Sequence, residues 1–332
     1  MRRCSLLIVV LLLAVPVIAS DVMPRRPVAT YSIVARDPET GQMGVAVQSH
    51  WFSVGQLVPW AEAGVGAVAT QSFVEPSYGP LGLELMSNGK SADAVLAGLL
   101  NMDPGEAVRQ VAMVDVQGRT AVHTGSRCIA AAGHVVGEGY SCQANMMEQG
   151  TVWEAMARAY EHSEGDLAER MLAALAAAEA EGGDIRGRQS AAIVVVAGEG
   201  TGQVWRDRLF DLRVEDHPDP VGELTRLVGL QRAYNALNAG DEFVAAGAVE
   251  DGLAAYRDAL ALAPDEATNG EAAFWVGVSL VDAGRIDEAA PFLRRAYRQD
   301  ERWAELIGRL PASGLLPDDP ALIDELVERM RR

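Results

Sequence analysis

Residues 29–51 read ATYSIVARDPETGQMGVAVQSHW. The stretch 30–36 alternates loosely and is rich in residues that favour strands. Asp37-Pro38 opens a turn and Gly41 closes it, and MGVAVQSH then reads as the returning strand. The hairpin brings the end of the second strand back to the start of the first. Gln48, Ser49 and His50 are therefore expected near Thr30.

The same reading extends outward. AGVGAVATQS (63–72) is an apolar strand of small residues, and LGLELMSNG has helical spacing that ends at Gly89. Ser91 reads as the N-cap of ADAVLAGLLN. RQVAMVDVQGRTAVHTG is a hairpin about Gln117-Gly118, and HVVGEGYSCQANMM is a further strand pair. Residues 151–181 form an Ala-rich helical stretch with a break expected near Gly165. GRQSAAIVVVAG is a buried strand, with GQVWRDRLFDLRVED as its partner. Helices fall between groups of antiparallel strands, which argues against a doubly wound parallel sheet. The expected class is α+β, a four-layer αββα sandwich of two antiparallel sheets with helices outside.

HPDPVGEL (217–224) marks a boundary, beyond which no strand signal remains. AGAVEDGLAAYRDALALAP and DAGRIDEAAPFLRRAYRQD repeat a Gly–Ala–aromatic/Leu–Ala pattern at an offset of about 37 residues. Residues 218–332 are thus expected to be a small all-α helical-repeat domain. One or two such helix pairs bury little alone, so the tail is expected to lean on the first domain. Its aromatic residues Tyr234, Tyr256, Trp275 and Trp303 read as repeat core.

Composition narrows the function. The chain has 332 residues, 49% hydrophobic and 22% charged, with a formal charge of -18. A field of that sign repels phosphate backbones and anionic lipid, so no nucleic-acid partner and no membrane docking of the mature form are expected. Residues 1–20 carry Arg2 and Arg3, the apolar run LLIVVLLLAV and the small residues of VPVIAS, which together read as an export signal. The mature protein is expected to be secreted or periplasmic. Cys128 and Cys142 then meet an oxidising compartment, where they either pair or stay as two free thiols. Their spacing with His134 matches no zinc pattern, and no phosphate loop occurs, so no metal or cofactor is expected.

The long motifs YSIVARDPETGQMGVAVQSHWFSVG, VPWAEAGVGAVATQSFVEPSYGPLGLELM, VDVQGRTAVHTGSRC, GHVVGEGYSCQANMM and GDIRGRQSAAIVVV together closely resemble the bacterial domain-of-unknown-function family 1028, over about residues 29–215. That family is placed by fold with the N-terminal-nucleophile (Ntn) hydrolases. The tail is similar to a helical segment often attached to it, likened both to tetratricopeptide repeats and to a peptidoglycan-binding domain. The resemblance implies an amidohydrolase whose Thr, Ser or Cys nucleophile uses its own α-amine as base. Thr30 matches that position by register, with Ser32 as second choice on the same strand face.

The chain departs from the active pattern in three ways. About ten residues precede Thr30 after the expected signal cut, so a second cut at Ala29–Thr30 is required. Lys90, the only lysine, stands at a helix end and not on the third strand. Gln48 or Ser49 replaces the acid expected near the end of the second strand. The rival reading is a non-catalytic ligand- or partner-binding module on the same scaffold, with the tail as an adaptor.

The remaining candidates each have a bland alternative. His50 is a candidate base or a strand-end polar residue, and Asn145 an oxyanion donor or a cap for the next helix. Glu75 and Tyr78 sit on a Pro-braced loop that suits substrate contact or simple turning. Asp184, Arg186, Arg188, Gln189 and Ser190 crowd the start of a buried strand, as a carboxylate clamp or as an internal brace. The expected ligand is a small peptide or cell-wall fragment, and the tail is expected to offer a surface to a protein partner. Ntn-like sandwiches often pair, so a homo-oligomer is expected.

Overall fold

The computed structural model describes residues 27, 28 and 30–332. The export signal expected over residues 1–20 lies outside the described residues.

The opening hairpin forms as read. β1 (Thr30–Arg36) and β2 (Met43–Ser49) pair antiparallel with Thr30 opposite Ser49. Asp37 holds the turn, its Oδ1 accepting from the amides of Glu39 and Thr40 at 2.8 and 3.1 Å, and Gly41 takes a φ of 71°. β3 (Pro59–Glu62) precedes β4 (Gly66–Ser72). α1 (Tyr78–Ser87) and α2 (Ala92–Met102) follow, and Ser91 caps α2 by accepting from the Ala94 amide. β5 (Arg109–Asp115), β6 (Thr120–Thr124), β7 (Gly133–Gly137) and β8 (Tyr140–Asn145) are two hairpins. The Ala-rich stretch divides around Gly165 into α3 (Val152–His162) and α4 (Leu167–Ala180), the second opened by an Asp166–Glu169 capping box. β9 (Ser190–Val196) is buried throughout. Its partner is shorter than read: α5 (Val204–Asp207) precedes β10 (Arg208–Val214).

The strands form two antiparallel sheets, ordered β10-β9-β2-β1-β8-β7 and β3-β4-β5-β6. Period-2 alternation sorts their side chains. Tyr31, Ile33 and Ala35 face α3 and α4, whereas Val34, Val45, Val47, Ala67, Ala69 and Ala112 meet between the sheets. On the other side, Val68, Val111 and Met113 pack against α1 and α2. Cys142 points into the α3–α4 layer while Cys128 lies on a loop, and both are free thiols.

The C-terminal region is helical: α6 (Pro220–Ala245), α7 (Val249–Leu262), α8 (Glu271–Asp282), α9 (Ile286–Gln299), α10 (Arg302–Ile307) and α11 (Pro320–Arg331). α6 belongs to two cores. Val221, Leu224 and Val228 join the sheet–helix core, and Leu237 joins the tail core. Arg232 also grips Asp166 and Glu169 of the α4 capping box at 2.6 and 2.8 Å. In the tail, a Cβ on Gly240 would lie 2.4 Å from the Tyr256 ring, and one on Gly277 would lie 2.5 Å from Leu293. Each small residue admits the large one of the next helix, at the offset read from the sequence.

This packing gives a paired test. Gly277→Ala forces an overlap and should destabilise the protein by about 1–3 kcal/mol. Gly98→Ala, on an α2 face with nothing within 4 Å, should stabilise it by about 1 kcal/mol. Equilibrium denaturation of the two variants measures both signs.

Candidate functional site

The inner faces of the two sheets change character along their length. Beyond the valines and alanines, the strands carry Thr30 and Ser32 (β1), Gln71 (β4), Gln110 (β5), and Ser141, Gln143 and Asn145 (β8), all buried. They satisfy one another. Gln71 Nε2 donates to Gln110 Oε1 at 2.7 Å, and Ser32 Oγ donates to Gln71 Oε1 at 2.7 Å. Gln143 Nε2 donates to Ser32 Oγ at 2.7 Å, and Asn145 Nδ2 donates to Gln110 Oε1 at 2.9 Å. The Thr30 carbonyl accepts from Gln71 at 3.3 Å and from Asn145 at 3.4 Å. None of these seven side chains is ionisable. One acceptor in the group, Asn145 Oδ1, is buried without a hydrogen bond.

Thr30 is sealed at the head of this network, with 0% of its surface exposed. Its hydroxyl donates to the Val28 carbonyl at 2.7 Å. Val28 in turn crosses to the small sheet: its amide donates to Ser72 O at 2.7 Å, and its carbonyl accepts from Ser72 N at 3.0 Å. Residue 28 is thus a strap over Thr30. Two non-glycine residues with positive φ flank the cluster, Ser72 at 69° and Met146 at 59°. Backbone held in the left-handed region costs on the order of 1–3 kcal/mol and concentrates at functional sites.

The sequence candidates separate into three places. Thr30, Ser32 and Asn145 come together, Asn145 being the direct cross-strand partner of Thr30. Ser49 faces the same space, but Gln48 does not. One residue out of phase, Gln48 lies with Tyr31 and Ala191 on the helix side, where both its amide atoms are buried and without a hydrogen bond.

His50 lies beyond β2, its amide donating to Asp184 Oδ2 at 3.1 Å. Arg186 pairs with Asp184 at 2.7 Å, and Arg188 pairs with Glu179, which also accepts from the Tyr31 hydroxyl. Burial first, and the Glu179 charge second, push the Tyr31 phenol well above its ordinary pKa, so it stays a donor. Gln189 donates to Asp216 at 3.2 Å, and Ser190 Oγ donates to Trp51 O and accepts from Val54 N. These contacts make the 184–190 segment a brace, and its guanidinium groups are already engaged.

Glu75 and Tyr78 form the third place. The Glu75 carboxylate accepts from the Ser77 amide at 3.1 Å, and the Tyr78 hydroxyl donates to Asp103 at 3.1 Å. Asp103 is the ion partner of Arg109 at 2.7 Å. Burial raises the Asp103 pKa, but the Arg109 and Gly105 hydrogen bonds outweigh it and hold the carboxyl below its usual range. Lys90 is exposed between α1 and α2. Burial pushes the Cys128 thiol up, and its Sγ donates to Arg109 O at 3.2 Å. Among the described residues no cluster of His, Cys, Asp and Glu could hold a metal ion.

Sequence reading missed Gln71, Gln110 and Gln143. Their signal was present: each is an amide inside a strand that is buried along its whole length, where such residues are rare.

The profile of the "Family of unknown function (DUF1028)" matches residues 30–224, opening on Thr30 itself. The chain belongs to that family. Its fold is similar to the crystal structure of a DUF1028 protein from Silicibacter pomeroyi, with 30% identity and a TM-score of 0.53 over 60% of this chain and 87% of that one. No curated protein matches the chain.

Replacing Gln110 by Leu would strip the acceptor from Gln71 and Asn145 and the donor from Thr124, Gly133 and Ala144. The loss should be roughly 2–5 kcal/mol, from buried groups left unpaired. Urea unfolding measures it. A loss no larger than about 0.5 kcal/mol would mean that water or slack packing meets those groups.

Proposed function

We propose that the chain is the closed precursor of an exported Ntn-type amidohydrolase, with Thr30 as nucleophile once the Ala29–Thr30 bond is cut. The observation that carries this reading is the neutrality of the Thr30 surroundings. The network offers hydroxyls and amides but no carboxylate, imidazole or amine. The chemistry that needs no side-chain base is the one in which the nucleophile's own α-amine serves, with a pKa near 8.

After the cut, the α-amine would take the Thr30 hydroxyl proton as Oγ1 attacks an amide carbonyl carbon. The proton would pass to the departing amine, leaving a threonyl ester that water then hydrolyses. Asn145 Oδ1, buried and unbonded beside Thr30, is an acceptor for the new amine. Asn145 Nδ2 is already given to Gln110 and the Thr30 carbonyl, so an oxyanion role for it is weaker than its role as amine partner. The start of the family match at Thr30 and the two strained residues beside it favour the same reading. On this reading the stacked sheets are an Ntn-hydrolase-like sandwich, residues 1–20 an export signal, and the tail a tetratricopeptide-like adaptor. The substrate class is a peptide or cell-wall amide.

One observation favours the rival, a non-catalytic binding module: the Thr30 hydroxyl is committed to Val28 and is fully covered. The mass of the secreted protein separates the two. A mature chain beginning at Thr30 is expected. A form of the protein beginning at Thr30 should hydrolyse members of a peptide-anilide panel, Thr30→Ser should retain activity, and Thr30→Ala should lose it roughly 10³-fold or more. A mature start near residue 20, with Thr30→Ala functionally silent, would leave only the module.

A further inference from the structure

The two sheets are unequal. β3 is the edge of the small sheet and packs against β2 and β9, while the large sheet continues one strand further to β10. A groove of about 740 Å3 fills the overhang beyond β3. One wall is α1 with the outer face of β3, contributing Trp60, Glu62, Leu83 and Glu84. The other is the inner face of β9–β10, contributing Val194, Val196, Asp211 and Arg213. This site is remote from Thr30 along β9: Val194 is paired with Val45, whereas Ser49, the partner of Thr30, is paired with Ser190.

The floor of the groove is a strand edge. The Val58 carbonyl accepts from the Thr70 amide, and Trp60 and Glu62 stand opposite Val68 and Gly66. By antiparallel alternation the amide and carbonyl of Ala61 and the carbonyl of Pro59 then point outward. Such an edge accepts an extended segment as an added strand. The space suits one strand because the large sheet already extends over it.

Charge selects the segment. On the β10 wall, Asp211 is shared by Arg208 at 2.6 Å and Arg213 at 3.4 Å, and Asp207 is held by the Thr201 amide and hydroxyl. On the α1 wall, Glu62 and Glu84 have no ion pair among the described residues. The ionisable groups lining the groove carry a net charge of -2, and the unpaired carboxylates stand on the α1 side, while the opposite side presents Val194 and Val196 beside the Asp211–arginine pairs. An added strand alternates its side chains between these walls.

We propose that this groove binds an extended peptide with alternating basic and apolar residues, added as a fifth strand beside β3, with its basic side chains toward Glu62 and Glu84 and its apolar ones toward Val194 and Val196. The proposal does not depend on the chemistry of Thr30.

Isothermal titration calorimetry of the full chain with acetyl-Val-Lys-Val-Lys-Val-amide tests it. Binding is expected with a Kd of about 10–500 μM. The doubly substituted Glu62→Gln, Glu84→Gln protein should bind at least about tenfold more weakly while keeping its melting temperature, since both side chains are exposed. The counterpart peptide with Glu for Lys should not bind. The Lys peptide N-methylated at alternate amides should also fail, because it cannot pair with the strand edge. Absence of heat up to millimolar peptide, equal binding of the Glu peptide, or an unchanged Kd in the double variant would overturn the proposal. Undiminished binding of the N-methylated peptide would overturn strand addition and leave a simple cation site.

Discussion

The molecule turns on the side-chain amide of Gln110. With Gln71 it ties the two sheets by hydrogen bonds instead of by apolar contact: its oxygen takes donors from β4 and β8, and its nitrogen reaches β6 and the backbone of β7 and β8. A buried amide atom left unpaired costs about 1–3 kcal/mol, and the network pairs its amide atoms all but one, Asn145 Oδ1. This fixes sheet spacing and register at one end, while close packing of small residues fixes them at the other. The head of β1 is held where the two regimes end.

That arrangement explains why the strap matters. Val28 bonds to the small sheet and Thr30 to the large one, with a single residue between them. The link draws the two sheets together over Thr30, and the same carbonyl that pairs with Ser72 also occupies the threonine hydroxyl. Opening the site and freeing the hydroxyl are thus one event. On the opposite face, Tyr31 to Glu179 and Arg186 to Asp184 brace the neighbouring strand ends without involving the Val28 carbonyl.

Much of the architecture was legible because its signals are local. The Asp37–Gly41 turn, the Ser91 cap and the Gly165 break all act within a few residues of themselves. Tyr256, read as tail core, is buried there. β3 was lost because four residues including a proline give too short a pattern, and α5 because Val204 and Trp205 look like strand residues. The site was only partly legible. Strict alternation from Thr30 selects Ser49 and rejects Gln48, a distinction that proximity in a hairpin does not make. Arg188 read equally as a ligand clamp or a brace because its acids, Glu179 and Asp219, are distant in sequence. The glutamines needed the stacking of three strands before they could be seen as one group.

α6 has a consequence for how the two ends communicate. Its 26 residues run unbroken from the sheet–helix core into the tail core, a rod of roughly 39 Å. The tail core is therefore held at a set bearing from β9 and β10, with no hinge loop between them. Torque applied to the far helices would be delivered directly to the α4 capping box through Arg232.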